Sequence, residues 1–349
     1  MKSCFDVVRQ DRVPAAPRPD TPELVDTYGR TAKSLRISVT DRCDLRCTYC
    51  MPARGVKFLP KLELLSLDEY VRLVRVAALA GVTKVRITGG EPLLYPELDA
   101  FIARVAAIPQ IEDVALTTNG IGLPGRARRL RELGLDRINV SLDTLDRESF
   151  RVLTRRDKLP EVHRGLEAAA AAGFAPIKVN AVVIRGFNDE GIARLAGLAR
   201  DPAFQVRFIE YMPLDAGHEW ERAKVLPARE ILARIQERWP LVPLERADSS
   251  SPAELYRFAD GEGTVGVIAS VTRPFCGTCD RIRISANGRL RTCLFSLVDT
   301  DLRAAMRGGE EDAHLVEIFG RAVWGKWEGH AINTARFVQP EGGMSYFGG

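Results

Sequence analysis

The sequence predicts an α/β protein. It reads as an open, partial (β/α)6 barrel of the TIM type over residues 30–215, with a smaller α+β domain over residues 216–349 closing the barrel mouth. Three observations predict this. Six short β-rich runs alternate with helical stretches from about residue 35 onward, the rhythm of parallel strands joined by right-handed crossovers. Six such units are too few for the usual closed eight-stranded barrel. After about residue 215 the rhythm breaks into a helix at 228–239, a Ser- and Asp-rich loop at 248–251 and short strands.

Residues 1–29 read as a mobile leader, because Pro14, Pro17, Pro19 and Pro22 stand there among Arg and Asp. The strand candidates then follow at 35–40, 84–88, 114–118, 137–142, 177–183 and 206–211. Between the first two, Ser66 followed by Glu69 makes a capping box, and Gly81 ends the helix. An alanine-rich helix stops at Gly173, and helix propensity explains its alanines without a special interface. In barrels of this kind the chemistry gathers at the C-terminal strand ends.

Lys plus Arg number 50 against 46 Asp plus Glu, a net charge of +4. That excess does not support a nucleic-acid partner, but it leaves room for a local basic pocket. No apolar run approaches the length of a membrane span, and the N-terminus lacks the h-region of a secretory signal. A cytoplasmic protein without a membrane partner is expected. Cys43, Cys47 and Cys50 lie within eight residues, Cys276, Cys279 and Cys293 within eighteen, and Cys4 stands alone in the leader. In a long chain without a signal peptide, such groups read as metal sites rather than disulfides.

Cys43-Asp-Leu-Arg-Cys47-Thr-Tyr-Cys50 follows directly on the first strand. Three thiolates can hold three irons of a cubane and leave the fourth iron open to a chelating ligand. Zinc is the alternative, but it usually takes four ligands, and no fourth stands nearby. The C-x3-C-x2-C spacing, with an aromatic residue before the last Cys, resembles the radical S-adenosylmethionine (SAM) motif. The resemblance implies that SAM chelates the open iron and is cleaved to methionine and a 5′-deoxyadenosyl radical. Thr88-Gly89-Gly90-Glu91-Pro92 ends the second strand. Its glycines allow close backbone approach to a ligand, and Glu91 can stabilise the loop or meet an ammonium. The segment is similar to the family's GGEP motif, which contacts the methionyl group of SAM.

Cys276, Cys279 and Cys293 again give three thiolates. A second cubane accounts for three ligands; zinc completed by His314 or His330 is the alternative. Arg281-Ile282-Arg283 lies between these cysteines, and residues two apart on a strand share a face. Two guanidiniums on one side suit phosphates, whereas elsewhere the same pattern would be a charged edge strand.

Together, residues from about Arg30 to Gly349 resemble the GTP 3′,8-cyclases, the radical SAM enzymes that begin molybdenum cofactor biosynthesis. The matching stretches include Leu35–Cys43, Arg86–Pro92, Thr117–Gly120, Asn139–Asp143, Lys178–Asn180, Arg207–Met212 and the terminal Gly348-Gly349. The resemblance implies two [4Fe–4S] clusters on the six cysteines, with Tyr49, Gly90, Ser141 and Met212 on SAM. It implies Arg36, Arg86, Thr117, Lys178, Arg281, Ile282 and Arg283 on GTP, and it makes Arg207, Arg281 and Arg283 the catalytic arginines. The implied reaction removes the hydrogen at C3′ of GTP and joins C3′ to C8 of the guanine. The implied partners are an external electron donor and, downstream, cyclic pyranopterin monophosphate synthase. The oligomeric state stays open, a homodimer included. The Gly-Gly tail is expected to insert toward the site. A radical SAM peptide maturase with an auxiliary cluster would spend more cysteines than these. A zinc-dependent RNA-binding module conflicts with the mild charge.

Overall fold

A strand sends successive side chains to opposite faces, and that alternation decides the layers here. The computed structural model describes residues 17–215, 217–246, 248–341 and 343–347. The first six strands are β1 (Ser34–Ser38), β2 (Lys84–Thr88), β3 (Asp113–Thr118), β4 (Arg137–Ser141), β5 (Ile177–Val183) and β6 (Phe204–Glu210). One face carries Leu35, Ile37, Val85, Ile87, Leu116, Ile138, Val140, Val179, Val206 and Phe208, all nearly inaccessible under the helices. Each such side chain contributes about 1.5–3 kcal/mol of burial. The other face carries Arg36, Arg86, Thr117, Asn139, Lys178, Asn180 and Arg207, which line a central cavity.

The helices between these strands follow the expected punctuation. Helix Leu67–Leu79 has its capping box, Ser66 Oγ accepting from Glu69 N–H and Glu69 Oε2 from Ser66 N–H. Gly81 beyond it has φ +92°, which suits glycine. Helix Leu159–Ala171 presses Gly165 onto Gly120, where a Cβ would lie 2.0 Å from the Gly120 carbonyl oxygen.

The later strands differ from expectation. They are β7 (Leu241–Pro243), β8 (Glu254–Phe258), β9 (Thr264–Ile268), β10 (Arg281–Ile284), β11 (Arg289–Arg291) and β12 (Thr300–Asp301). All twelve share one sheet, in the order β12-β11-β10-β1-β2-β3-β4-β5-β6-β9-β8-β7. β10 pairs parallel with β1 and β9 pairs parallel with β6. Eight parallel strands therefore run without interruption, the six predicted and these two. The C-terminal region extends both margins of the barrel sheet rather than only covering its mouth. β9 and β10, the outermost strands of the parallel run, do not pair with each other, and residues 269–280 connect them.

The leader also differs in part. Leu24 is fully buried, and Asp26 accepts hydrogen bonds from the backbone and the Nε of Arg30. Val25 and Thr31 form an antiparallel bridge. The segment from Leu24 is thus packed on the body of the protein, because it supplies an apolar side chain and an ion pair to it. Cys4 and the Gly348-Gly349 tail lie outside the described residues. Among the described residues, no helix is long and apolar enough to cross a membrane.

Candidate active site

The barrel interior is a cavity of about 560 Å³. Cys43, Cys47, Cys50, Cys276, Cys279 and Cys293 all line it. The first three follow the C-terminal end of β1, whereas Cys276, Cys279 and Cys293 gather at its N-terminal end, where Lys33 and Ser34 N–H donate to Asp280 O and β11 returns antiparallel to β10. None of these six is in a disulfide. Among the described residues, no three His, Cys, Asp or Glu side chains converge tightly enough to hold one metal ion. Each group offers three thiolates, the number that holds three irons of a cubane and leaves the fourth open, whereas zinc usually takes four ligands. The two histidines weighed as zinc ligands do not serve. His314 lies beside Glu310, at 3.9 Å, away from the cavity. His330 has both ring nitrogens engaged: Nε2 donates to Ser270 O (2.9 Å) and Nδ1 accepts from Ile332 N–H (3.2 Å).

The cysteines sit in prepared surroundings. The backbone at Leu45, His330, Arg281 and Phe295 favours the thiolate forms of Cys43, Cys276, Cys279 and Cys293 respectively. Burial pushes the Cys43 thiol up to about 12 and raises Cys47 well above its ordinary value, so metal loading must displace protons there. Burial also opposes ionisation of Cys279, but Arg281 and Lys326 outweigh it and bring that thiol down to about 7.

The glycines of the GGEP segment approach protein backbone. A Cβ on Gly89 would lie 2.5 Å from Thr40 O, and one on Gly90 2.3 Å from Arg42 O. Gly90 N–H donates to Thr40 O (2.8 Å) and Glu91 N–H to Arg42 O (2.7 Å). The absent side chains thus let the end of β2 seat the cysteine loop. Glu91 is buried and stabilises the loop: its carboxylate accepts from Leu93 N–H (3.0 Å), Thr118 Oγ1 (2.7 Å) and Asn119 N–H (2.7 Å). Burial raises it to about 7 despite these donors. Asn119 continues the chain of contacts to Asp44 (2.6 Å).

Tyr49, Gly90, Ser141 and Met212 line the cavity beside the first cysteine group. Tyr49 donates its hydroxyl to Asp143 Oδ2 (2.7 Å), and Asp143 Oδ1 accepts from Val182 N–H (2.9 Å). Burial holds Asp143 up at about 6. Deeper in the barrel stand Arg36, Arg86, Lys178, Arg207, Arg281 and Arg283. Register makes Arg283, Arg36 and Arg86 one row across β10, β1 and β2. Arg86 Nη1 donates to Thr117 Oγ1 (3.3 Å), and Arg207 Nε to Gln205 Oε1 (2.9 Å). Among the described residues, Arg36 Nε, Arg283 Nε, and Arg281 Nε and Nη2 are buried without a hydrogen-bond partner. Burial and then mutual repulsion lower this set: Arg86 and Arg283 to about 10, Lys178 to about 7, and Arg36 well below its usual value. Such a cluster of unanswered donors is an anion site.

Ile282 is the exception among the predicted residues. Its side chain is fully buried in the hydrophobic core, away from the cavity, because strand alternation turns it outward between Arg281 and Arg283. β10 is also no charged edge strand; it lies between β1 and β11, with Arg281 and Arg283 under 10% exposed.

Sequence reasoning missed several residues. Glu210, at the end of β6, is fully buried and accepts from Ala228, Val271 and Thr272 N–H and from the Thr272 hydroxyl. It ties the barrel to the connecting segment that carries Cys276 and Cys279. The 248–251 loop supplies Asp248, Ser250 and Ser251 to the cavity at the N-terminal strand ends, beside Lys84 and opposite the first cysteine group. Only its polar composition was visible in the sequence; its place under the barrel is a tertiary fact.

Comparisons with known proteins agree with this geometry. Residues 37–199 match the Radical SAM superfamily and residues 204–332 match Molybdenum Cofactor Synthesis C. A GTP 3′,8-cyclase from Mycolicibacterium smegmatis is 50% identical over 342 residues, covering 96% of this chain and 94% of that one. The GTP 3′,8-cyclase of Streptomyces coelicolor is 49% identical over 93% of this chain and 96% of its own. Among solved structures, Streptococcus suis SuiB has a TM-score of 0.58 at 16% identity, covering 90% of this chain and 77% of that one, which is likeness of fold alone. With half its residues shared along nearly the whole length, and with two three-cysteine groups facing one basic cavity, the chain belongs to the GTP 3′,8-cyclase family of radical SAM enzymes.

Proposed function

We propose that this protein converts GTP to (8S)-3′,8-cyclo-7,8-dihydroguanosine 5′-triphosphate, the first step of molybdenum cofactor biosynthesis. One observation carries the reading: buried guanidinium donors of Arg36, Arg281 and Arg283 lack hydrogen-bond partners among the described residues, in a cavity that both cysteine groups also line. A triphosphate answers those donors, and the cysteines are within the same enclosure. When bound at Cys43, Cys47 and Cys50, a [4Fe–4S] cluster supplies the electron that cleaves SAM to methionine and the 5′-deoxyadenosyl radical.

The chain's own residues bind and orient. Tyr49, Gly90, Ser141 and Met212 hold SAM against the first cysteine group. Arg36, Arg86, Thr117, Lys178, Arg207, Arg281 and Arg283 hold the triphosphate. That fixes C3′ toward the radical and C8 within bonding reach, the positioning that makes such a step effectively unimolecular. Cys276, Cys279 and Cys293 carry a second cluster on the guanine side. GTP loses a hydrogen atom at C3′ and later gains one electron and one proton, so the product is an isomer of GTP. An external donor supplies the electrons, cyclic pyranopterin monophosphate synthase consumes the product, and the oxygen-sensitive clusters favour the cytoplasm.

The test is anaerobic incubation of reconstituted protein with SAM, reductant and GTP. The expected result is 5′-deoxyadenosine together with a chromatographically distinct nucleotide of the same mass as GTP. Deoxyadenosine formed without consumption of GTP would overturn the substrate assignment.

A further inference from the structure

Lys326 follows helix Asp312–Trp324 and is only 4% exposed. An ammonium has three N–H donors, and the acceptors around this one are Cys279 O at 2.7 Å, Arg281 O at 3.1 Å and Cys279 Sγ at 3.8 Å. All three belong to the turn that leads from a cysteine of the second group into β10. A cation this deeply buried is costly unless it is compensated, and the thiolate that a cluster holds at Cys279 is a negative group within its reach. Arg30 grips the other side of the same loop, donating to Cys276 O (2.7 Å), Glu328 O (2.7 Å) and Trp327 O (2.5 Å). The segment carrying Lys326 is thereby held against the cysteine loop from both sides.

We infer that Lys326 is the positioning residue of the second cluster: it clamps the Cys279–Arg281 turn by both carbonyls and sets a positive charge against the Cys279 thiolate. The inference rests on the assignment of that cluster to Cys276, Cys279 and Cys293. Two consequences follow. A cluster that loses an adjacent cation is harder to reduce, so its midpoint potential falls. Arg281 loses the anchor on its carbonyl, so GTP binds more weakly, by about tenfold.

The experiment uses the full chain carrying Cys43→Ala, Cys47→Ala and Cys50→Ala, reconstituted with iron and sulfide, so that the second cluster gives the EPR signal. Potentiometric titration and GTP calorimetry are run with Lys326 native and with Lys326→Met, Lys326→Gln and Lys326→Arg. Lys326→Met is expected to lower the potential and weaken GTP, while Lys326→Arg stays near the parent in potential. A Lys326→Met protein with full iron, unchanged potential and unchanged GTP affinity overturns the inference. Absence of iron when Lys326 is native is a different failure, that of the cluster assignment. If Lys326→Met cannot hold the cluster, iron retained by Lys326→Arg but not by Lys326→Gln supports the role of charge, and any other pattern overturns it.

Discussion

Arg36, Arg281 and Arg283 keep guanidinium nitrogens that no hydrogen-bonding group among the described residues answers, and Arg281 additionally stacks over Phe275 at 4.6 Å. Charge-assisted contacts of the kind they await contribute about 1.5–3 kcal/mol each. Arg281→Ala and Arg283→Ala should therefore weaken GTP by roughly ten- to a hundredfold while keeping full iron. Lysine keeps the charge but not the fork, so Arg→Lys remains harmful. Calorimetry with GTP and guanosine checks this: guanosine should bind weakly and hardly distinguish the variants. Lys178 adds a pH dependence. Burial, then Arg207, Arg137 and Arg86, lower it to about 7, so above that pH the empty site holds it largely neutral. Phosphates favour the ammonium, so GTP binding takes up a proton there, and affinity should decline from about pH 7 to about pH 9. Lys178→Met should bind GTP more weakly at neutral pH and lose that slope; calorimetry in buffers of different ionisation enthalpy reads the proton directly. The sequence made these residues legible because thiols and arginines at strand ends have few structural uses. It could not reveal Glu210 or Lys326, whose partners lie 18 or more residues away along the chain.

At the scale of elements, seating the first cysteine loop depends on a missing side chain. Gly90→Ala would force a Cβ to 2.3 Å from Arg42 O, so the loop must shift. The expected result is loss of about half the iron and of all SAM cleavage, with the second cluster retained, since each group holds one cubane. Iron and sulfide counts decide it; full iron with normal cleavage would contradict the seating role. Glu210→Gln tests the other tie. An amide cannot accept all four donors that now meet the carboxylate, and it turns its own N–H groups toward them. A cost of about 3 kcal/mol is expected, read as a lower urea midpoint, together with poorer retention of the second cluster. The strands β1 to β6 were legible from alternation and helix punctuation. β9 and β10 were not recognised as barrel strands, because Thr264–Ile268 sits in a hairpin with β8 and Arg281–Ile284 mimics a charged edge. Their parallel pairing with β6 and β1 is set by contacts distant in sequence.

Across the whole molecule, one open sheet surrounds a basic interior. The segment connecting β9 and β10 carries Cys276 and Cys279, so the C-terminal third completes the cavity that the first six strands begin. This arrangement assigns the cysteine groups different work. Removal of Cys276, Cys279 and Cys293 should leave SAM cleavage possible and abolish cyclisation, and full cyclase activity in that protein would contradict a substrate-facing second group. The central claim is that the cavity holds GTP with C3′ facing the radical. GTP deuterated at C3′ tests it most directly. The account predicts that the 5′-deoxyadenosine recovered after anaerobic turnover carries the deuterium, and that the nucleotide product has lost it. Unlabelled deoxyadenosine, formed alongside a product that keeps its deuterium, would contradict it.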